Sequence, residues 1–564
     1  MRYRKSIVPV AATALALSML AGCSPSSPTP TEPGATTPET SQAPAPARPL
    51  RVWAGNSTPI SVDFNPFHVD NALHATFGAI YEPLFFFNEL KADPPTGLIG
   101  ESFELSEDGL VLTIVIKANQ KWSDGEPLTA DDVLFTYTHP YNKSDHLVSA
   151  EAADATTAVL TYDEPQFTSV PLLLGNTWML PKHIWEPIGD KWNDQVNENP
   201  VGSGPYVVSA TSDASYSTVG NPNFRDGVPA VSEVQYIGLD SNQSSEDMLK
   251  TGQLDWVGQF IANPDPVVAD GVIATMNNQL DPTVIIACAT VDLGCKGPQT
   301  DPAVRQALNL AIDRAAIAEK AFAGLTGLSN PAMVLLPRDE QWVTDAALKE
   351  SPQQPDAAAA EQILIGAGYA KNDKGIYAKD GRALSLDLFS PDGWTDYNDA
   401  AKLIAEAAGK AGIEIKYRTV SEAQYWDPVG QGDFQLAMFG LTQSQVPDPY
   451  QVYYEYYTTA RTTATGDWPN GQNYSRYSNK VVDAAVKRAA GTNDDAIKKA
   501  AYAEVQAEIA KDLPYIPVVL NASQAFFNVR DFTGWPTPDD LYANPLPYRA
   551  VASAVVLANL EPAQ

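Results

Sequence analysis

The sequence predicts an α/β protein whose sheets are mixed rather than purely parallel. Strand-like and helix-like patterns alternate through much of the chain. One β-rich run, Leu110 to Ile116, follows the turn signal Glu107-Asp108-Gly109. Helical spacing of apolar residues appears after Asp301. A chain of 564 residues is too long for one core, so two to four domains are expected.

Local signals fix several element boundaries. Thr129 suits the N-cap of a helix that has acidic residues in its first turn, and Asp301 caps a helix with Pro302 in the first position. The buried stripe of that second helix is predicted to be Val304, Ala307, Leu308, Ala311 and Ile312. Further predictions are a strand at Leu50 to Trp53, helices at Asn71 to Leu84, from Asp356 to about Gly366 and at Asn398 to Lys410, and a strand at Ile413 to Tyr417.

The composition is that of a soluble globular protein with a strongly acidic balance. Hydrophobic residues make up 44% of the chain and charged residues 19%, and the formal net charge is −31. Such a surface repels phosphate backbones, so nucleic-acid binding is excluded as a function class.

The N-terminus reads as a secretion signal. Arg2, Arg4 and Lys5 precede a short apolar run that ends at Leu20-Ala21-Gly22-Cys23. The run is too short for a bilayer span of about 20 residues. The pattern resembles a bacterial lipobox, which implies a signal peptide at 1–23 that is cleaved before Cys23, with lipid on the Cys23 thiol. The next segment, 24–49, is rich in Pro and Thr and is expected to be a disordered tether.

Two further cysteines, Cys288 and Cys295, are seven positions apart. In an exported protein a local disulfide is the default for such a pair. A metal site would need further ligands nearby, and the nearest histidine on the N-terminal side, His183, is distant in sequence. We therefore expect a structural disulfide and no metal or other cofactor.

Several segments, in order, resemble the dipeptide/oligopeptide-binding family of ABC-importer solute-binding proteins (family 5). The most recognisable is the stretch from Lys121 to Val133, which contains Trp122-Ser123-Asp124-Gly125. Other matching segments are Tyr81-Glu82-Pro83-Leu84, Asn199 to Tyr206, Gly252-Gln253-Leu254-Asp255, Val304-Arg305-Gln306-Ala307, Ala311-Ile312-Asp313-Arg314 and Asp512-Leu513-Pro514.

The resemblance implies a periplasmic-binding-protein-like fold of type II, class C-like, with two lobes and an extra inserted domain. By this analogy the first lobe (domain I) comprises about 50–86, 197–296 and 515–564. The inserted domain II is 87–196 and the second lobe (domain III) is 297–514. Insertion of one domain into another is compatible with chain termini that lie together at the surface.

The implied function is capture of a solute by lobe closure and delivery to ABC importer permease subunits with their cytoplasmic ATPases. The protein is expected to be a monomer at the outer face of the cell membrane, with membrane contact through the lipid anchor only. An exported hydrolase is the competing class, but the sequence has no Gly-x-Ser-x-Gly elbow, His-Glu-x-x-His helix or Walker A loop. A signalling lipoprotein that a sensor reads in its closed form is a third possibility.

The candidate ligand-binding residues follow from the resemblance. Gln443, Ser444, Gln445 and Asp448 lie in the segment that, in peptide-binding members, follows a Gly-Trp pair and carries an aspartate for the peptide α-ammonium group. Here Leu441 replaces the tryptophan and the aspartate position falls near Ser444. The expected cargo is a short oligopeptide. An enclosed ammonium needs a partner, and Asp448 is the carboxylate that could replace the missing aspartate, although an Asp before Pro is more often a turn residue.

Aromatic residues favour an alternative cargo, an oligosaccharide such as a β-linked glucoside. Trp394 and Tyr397 follow a predicted strand, and α/β folds place ligands at the carboxyl ends of strands. Trp394 could equally pack as a core or hinge residue. His74 is a further candidate, since it lies in a segment that faces the ligand in the family, with surface placement as the alternative.

Overall fold

The structure, a computed structural model, describes residues 48–68 and 74–563. The predicted signal peptide, Cys23 and nearly all of the predicted tether lie outside the described residues. No helix in the described ranges is both long and apolar enough to cross a membrane.

Two large mixed sheets form the body of the protein. In the first, Leu50–Trp53 pairs parallel with Glu233–Ile237 and Trp256–Val257, and the other pairings are antiparallel. In the second, Ser385–Pro391 pairs parallel with both of its neighbours. The seven-stranded order is Ile273–Asn277, Gln524–Asn528, Trp256–Val257, Leu50–Trp53, Glu233–Ile237, Ser215–Gly220, Tyr206–Thr211; the five-stranded order is Glu414–Val420, Ser385–Pro391, Leu436–Gly440, Pro282–Ala287, Tyr515–Leu520.

A four-stranded antiparallel sheet lies between the first two parts of the seven-stranded sheet in sequence and has its own core, which includes Trp122 and Tyr137. Its strands are Gly100–Leu105, Val111–Ile116, Thr157–Tyr162 and Leu147–Asp154. Smaller sheets comprise Phe85–Phe86 with Thr96–Gly97, Phe532–Thr533 with Glu561–Pro562, and Ala370–Lys371, Tyr377–Lys379 and Arg382–Ala383.

Most of the helices that pack directly against strands lie on the five-stranded sheet, and the helix Ala130–Thr138 packs against the four-stranded sheet. Each face of the five-stranded sheet has an apolar cluster, one of them built around the predicted stripe of the helix Pro302–Ala311. The α-helices are Ala130–Thr138, Val170–Gly175, Lys182–Trp185, Asn242–Lys250, Asp265–Val268, Pro302–Ala311, Arg314–Lys320, Ala357–Gly366, Thr395–Lys410, Glu422–Gln431, Tyr450–Tyr457, Lys480–Ala490, Asp495–Asp512 and Ala550–Asn559.

Here the first lobe is the part built on the seven-stranded sheet and the second lobe is the part built on the five-stranded sheet. The chain passes between the sheets twice, at 278–281 and at 521–523. Strands Pro282–Ala287 and Tyr515–Leu520, which the proposed boundaries give to the first lobe, pair within the second sheet. We therefore place the two inter-lobe boundaries at these crossings rather than at 296 and 515.

The prediction of a helix from Asn71 to Leu84 is wrong for residues 74–84, the part of this segment that the structure describes. Residues 71–73 lie outside the described residues, and from His74 the chain forms only one 3-10 turn, His74–Thr76. Gly78 follows at φ +90°, where a side chain would also meet the carbonyl oxygen of Ala550. Pro83 disfavours helical geometry at Glu82.

The predicted capping interactions are present. The Asp301 side chain accepts a hydrogen bond from the N–H of Ala303, and Asp356 accepts one from Ala359. At the start of Ala130–Thr138, the Asp132 carboxylate accepts from the N–H of Thr129 at 2.9 Å. Cys288 and Cys295 form a disulfide.

Candidate ligand-binding site

A cavity of about 310 Å³ lies where the two lobes and the segment after Phe86 meet. Its wall includes residues from both sides of the two crossings. Amide side chains, aromatic rings and three charged groups dominate the lining, namely Phe86, Phe87, Asn88, Glu89, Asn176, Asp281, Thr442, Gln443, Gln445, Gln451, Asn544, Tyr548 and Arg549.

The three charged groups of this wall form one cluster. The Arg549 guanidinium donates to the Asp281 carboxylate, and its Nε lies 3.4 Å from Glu89 Oε1. Asn544 donates to the same Glu89 oxygen at 2.7 Å. Two carboxylates therefore face one guanidinium, which leaves one formal negative charge in excess inside the cavity.

Asp281 connects this cluster to both lobes. It lies in the first crossing, its side chain holds Arg549 of the first lobe, and its Oδ1 accepts from the N–H of Gln443 in the second lobe at 3.2 Å. Burial raises the pKa of Asp281, an effect that Arg549 opposes and Glu89 reinforces. A cation entering the cavity would counteract this rise.

The loop 443–445 supplies unpaired polar groups. Both polar atoms of the Gln443 side chain, the Ser444 hydroxyl and the Gln445 Oε1 are buried and have no hydrogen-bond partner among the described residues. Gln443 and Gln445 line the cavity. Gly175 allows close approach here, since a Cβ on it would lie 2.6 Å from the Phe87 ring and 3.1 Å from Gln445 Oε1. Buried amides without partners are costly, and a ligand's polar groups would satisfy them.

The other predicted site residues lie elsewhere. Asp448 accepts hydrogen bonds from the Tyr502 hydroxyl at 2.6 Å and from Lys498 Nζ at 3.1 Å, within the second lobe. Trp394 begins the helix Thr395–Lys410 and packs against Tyr397 and Tyr425, with ring centroids 5.2 and 5.6 Å apart. The structure does not bring Asp448 or Trp394 to the cavity wall.

His74 and Tyr397 lie one layer behind the cavity. The His74 ring lies between Trp53 and the cavity residue Tyr548, with centroids 5.5 and 6.4 Å away. Burial lowers the pKa of His74 to about 4, so the ring is neutral at pH 7. Tyr397 is buried beside the second crossing, where its hydroxyl accepts from Asn521 at 3.1 Å.

Sequence reasoning missed the charged cluster. Glu89, Asp281 and Arg549 are separated by hundreds of positions, and none belongs to a recognisable motif. Among the described residues, no group of three or more His, Cys, Asp or Glu side chains could hold a metal ion.

A cavity between two lobes that are joined by two adjacent crossings, with buried unpaired amides in its wall, is the arrangement expected of a solute-binding protein. Residues 95–464 match the model for bacterial extracellular solute-binding proteins, family 5. The chain belongs to this family, whose members are non-enzymatic binders. It is thus a substrate-binding protein of the ABC importer type, which works outside the cytoplasm with permease and ATPase subunits.

Individual relatives agree with this assignment. Protein XP55 of Streptomyces lividans is 30% identical over 431 residues, which cover 73% of each chain. The oligopeptide-binding protein AppA of Bacillus subtilis is 27% identical over 439 residues, covering 74% of this chain and 76% of that protein. A mannohexaose-bound periplasmic oligopeptide-binding protein of Thermotoga maritima superposes with a TM-score of 0.84 at 26% identity, covering 92% of this chain and 99% of the other.

Proposed function

We propose that this protein captures a short oligopeptide with a free amino terminus between its two lobes and delivers it to the importer's permease. The observation that carries the proposal is the excess negative charge of the cavity. Glu89 and Asp281 face only Arg549, and an uncompensated buried charge is costly. The α-ammonium group of a peptide would supply the missing positive charge.

The rest of the wall suits a peptide main chain. Gln443 offers an unpaired amide N–H and an unpaired oxygen, which match a peptide C=O and N–H. Phe86 and Phe87 offer apolar surface for a side chain. The volume of about 310 Å³ is at the lower end of the range for small-molecule sites, about 300–1,000 Å³, which favours a short peptide.

Calorimetric titration with tri-alanine and N-acetyl-tri-alanine tests this assignment. Acetylation removes the ammonium charge and keeps the main chain, so we expect at least tenfold weaker binding of the acetylated peptide. Glu89→Gln should weaken binding of free tri-alanine and narrow the difference between the two peptides. Glu164→Gln is the matched control, because Glu164 is at the surface, paired with Lys487. Equal affinity for both peptides would refute recognition of the ammonium group.

An oligosaccharide is the second candidate cargo. Asn88, Asn176, Gln443, Gln445 and Gln451 are neutral and suit sugar hydroxyls, and the Thermotoga maritima relative was solved with mannohexaose. A thermal-shift panel should therefore include mannohexaose and β-linked gluco-oligosaccharides. Ligand at 100 times its dissociation constant stabilises by about 2.7 kcal/mol. Stabilisation by a sugar and by none of the tripeptides would replace the peptide assignment.

We further propose that the mature protein is a monomeric lipoprotein anchored through Cys23. A lipid on the first residue and a Pro/Thr-rich tether would keep the receptor near the permease. Cys23→Ser should move the protein from the detergent phase to the aqueous phase in Triton X-114 partitioning. Wild-type protein in the aqueous phase would contradict the anchor. If deletion of the permease leaves uptake of the cargo unchanged, the sensory alternative replaces import.

A further inference from the structure

One arginine behind the cavity bonds to the backbones of two opposing wall segments. Arg338 Nη1 donates to the carbonyl oxygens of Glu89 and Ser444, each at 2.8 Å. The Glu89 side chain belongs to the charged cluster of the cavity, and Ser444 is the centre of the loop 443–445. The Arg338 side chain is only 11% exposed.

The remaining donors of Arg338 fix its direction. Its Nε and Nη2 donate to the two carboxylate oxygens of Asp339 at 2.7 and 2.9 Å, a bidentate arrangement. Asp339 is itself fully buried and accepts from the N–H of Leu335 at 3.1 Å. One edge of the guanidinium, Nε and Nη2, therefore binds Asp339, and the two hydrogens of Nη1 are donated to the two carbonyl oxygens.

The two carbonyls belong to different parts of the molecule. The segment at Glu89 is attached to the first-lobe side, because Asn88 donates to the carbonyl of Leu541 at 2.8 Å and Glu89 contacts Asn544 and Arg549. Ser444 and Arg338 belong to the second lobe. Within residues 48–68 and 74–563, neither carbonyl accepts a hydrogen bond from any other donor.

We infer that Arg338 is a positioning residue that latches the two walls of the cavity together in the closed form, with or without cargo. The inference rests on capture by lobe closure and not on the identity of the cargo. Separation of the lobes breaks the Glu89 bond, which is therefore made only in the closed form and favours it. By contrast, the pair between Lys487 of the second lobe and Glu164 of the inserted domain is exposed, 70% at the lysine, and contributes little.

The test compares wild type with Arg338→Lys and with a matched control, Arg305→Lys. Lysine keeps the charge but cannot hold Asp339 with two parallel bonds and also bridge two carbonyls. Arg305 is also buried and also bonds two carbonyls, those of Asp512 and Gln299 at 2.6 Å each, but all three residues lie in the second lobe.

Three measurements separate a latch from a purely structural arginine. For Arg338→Lys we expect faster amide exchange at 443–445 and a larger radius of gyration by small-angle scattering. We also expect tri-alanine to be released about 10- to 100-fold faster, a change of the size typical for coupling between two parts of a protein. For Arg305→Lys we expect a lower melting temperature, whereas amide exchange at 443–445, the radius of gyration and the rate of tri-alanine release should equal those of the wild type. A lower melting temperature alone for Arg338→Lys, with unchanged exchange and scattering, would overturn the inference.

The scattering and exchange measurements need no cargo. If tri-alanine binds no form of the protein, the proposed peptide cargo fails, while these two measurements still decide whether Arg338 acts as a latch.

Discussion

The hydroxyl of Tyr397 accepts a hydrogen bond from the side-chain amide of Asn521 at 3.1 Å. Tyr397 belongs to a helix of the second lobe and Asn521 to the second crossing, whose backbone N–H also donates to the carbonyl of Asp281 in the first crossing at 2.8 Å. A residue that sequence reasoning proposed as a ligand contact thus joins the segments about which the lobes can move.

Tyr397→Phe should lower the free energy of unfolding. The substitution removes the acceptor of a part-buried amide hydrogen of Asn521 and of the buried Thr283 hydroxyl, at a cost of about 1–2 kcal/mol. Urea unfolding measures the loss, and we expect cargo affinity to change less than threefold because Tyr397 lies outside the cavity wall. A tenfold loss of affinity with unchanged stability would instead show that the hydroxyl contacts cargo.

A second prediction concerns Glu82, which lies in one of the segments that carried the family resemblance. Its carboxylate accepts two hydrogen bonds from Arg225, at 2.7 and 2.8 Å, and both side chains are at most 10% exposed. Glu82→Gln leaves the buried Arg225 charge with only the exposed carboxylate of Asp226, 3.4 Å from its Nε, which should cost about 3 kcal/mol in urea unfolding. Glu504→Gln, which removes an exposed pair with Arg488, is the control and should leave the unfolding midpoint unchanged. Equal midpoints for the two variants would contradict the prediction.

Local sequence signals were sufficient for most elements and insufficient for the cavity. Helix caps and short strands depend on neighbouring residues, so the sequence alone was enough to predict the caps at Asp301 and Asp356 and the strand Leu50–Trp53. The helix expected from Asn71 failed because Gly78 and Pro83 outweigh apolar spacing in that segment.

The charged cluster of the cavity has no local signal. Glu89, Asp281 and Arg549 meet only because the fold brings a segment after the first lobe, a crossing and the C-terminal helix region together. The loop from Gln443 to Gln445 could be proposed because the resemblance supplies the long-range information that the residues themselves lack.

Asp448 is expected to act on stability rather than on cargo. Its carboxylate is the partner of Lys498, whose side chain is 9% exposed, and accepts from the Tyr502 hydroxyl at 2.6 Å. Asp448→Asn leaves Lys498 without a counter-charge and should destabilise the protein by about 3 kcal/mol. Calorimetric titration should give wild-type cargo affinity at a temperature where the variant is folded. Lost affinity at wild-type stability would return Asp448 to the list of ligand contacts.

The pH dependence of stability provides the last prediction, through a carboxyl group at the start of the helix Thr395–Lys410. Burial raises the pKa of Asp396 from 3.8 to about 7, although the backbone N–H groups of Asp396 and Tyr397 and the Asn242 side chain oppose the rise. Between about pH 4 and pH 7 the folded protein keeps a proton that the unfolded chain releases. The contribution of Asp396 to stability therefore falls as the pH rises, by up to about 1.4 kcal/mol per pH unit.

His74 changes the pH dependence of stability in the opposite direction, over an overlapping pH range. Its pKa is lowered by burial from 6.5 to about 4, so its contribution to stability is lost as the pH falls through this interval. The two effects oppose each other in the wild type. Asp396→Asn should remove the Asp396 effect and leave that of His74. The variant should then be more stable than the wild type at pH 8, and it should lose stability more steeply when the pH falls from 6.5 to 4.5. Urea unfolding at four pH values measures both curves, with Glu504→Gln, which removes an exposed carboxylate paired with Arg488, as the control. Parallel curves for wild type and Asp396→Asn would mean that the Asp396 carboxyl titrates alike in the folded and unfolded chain.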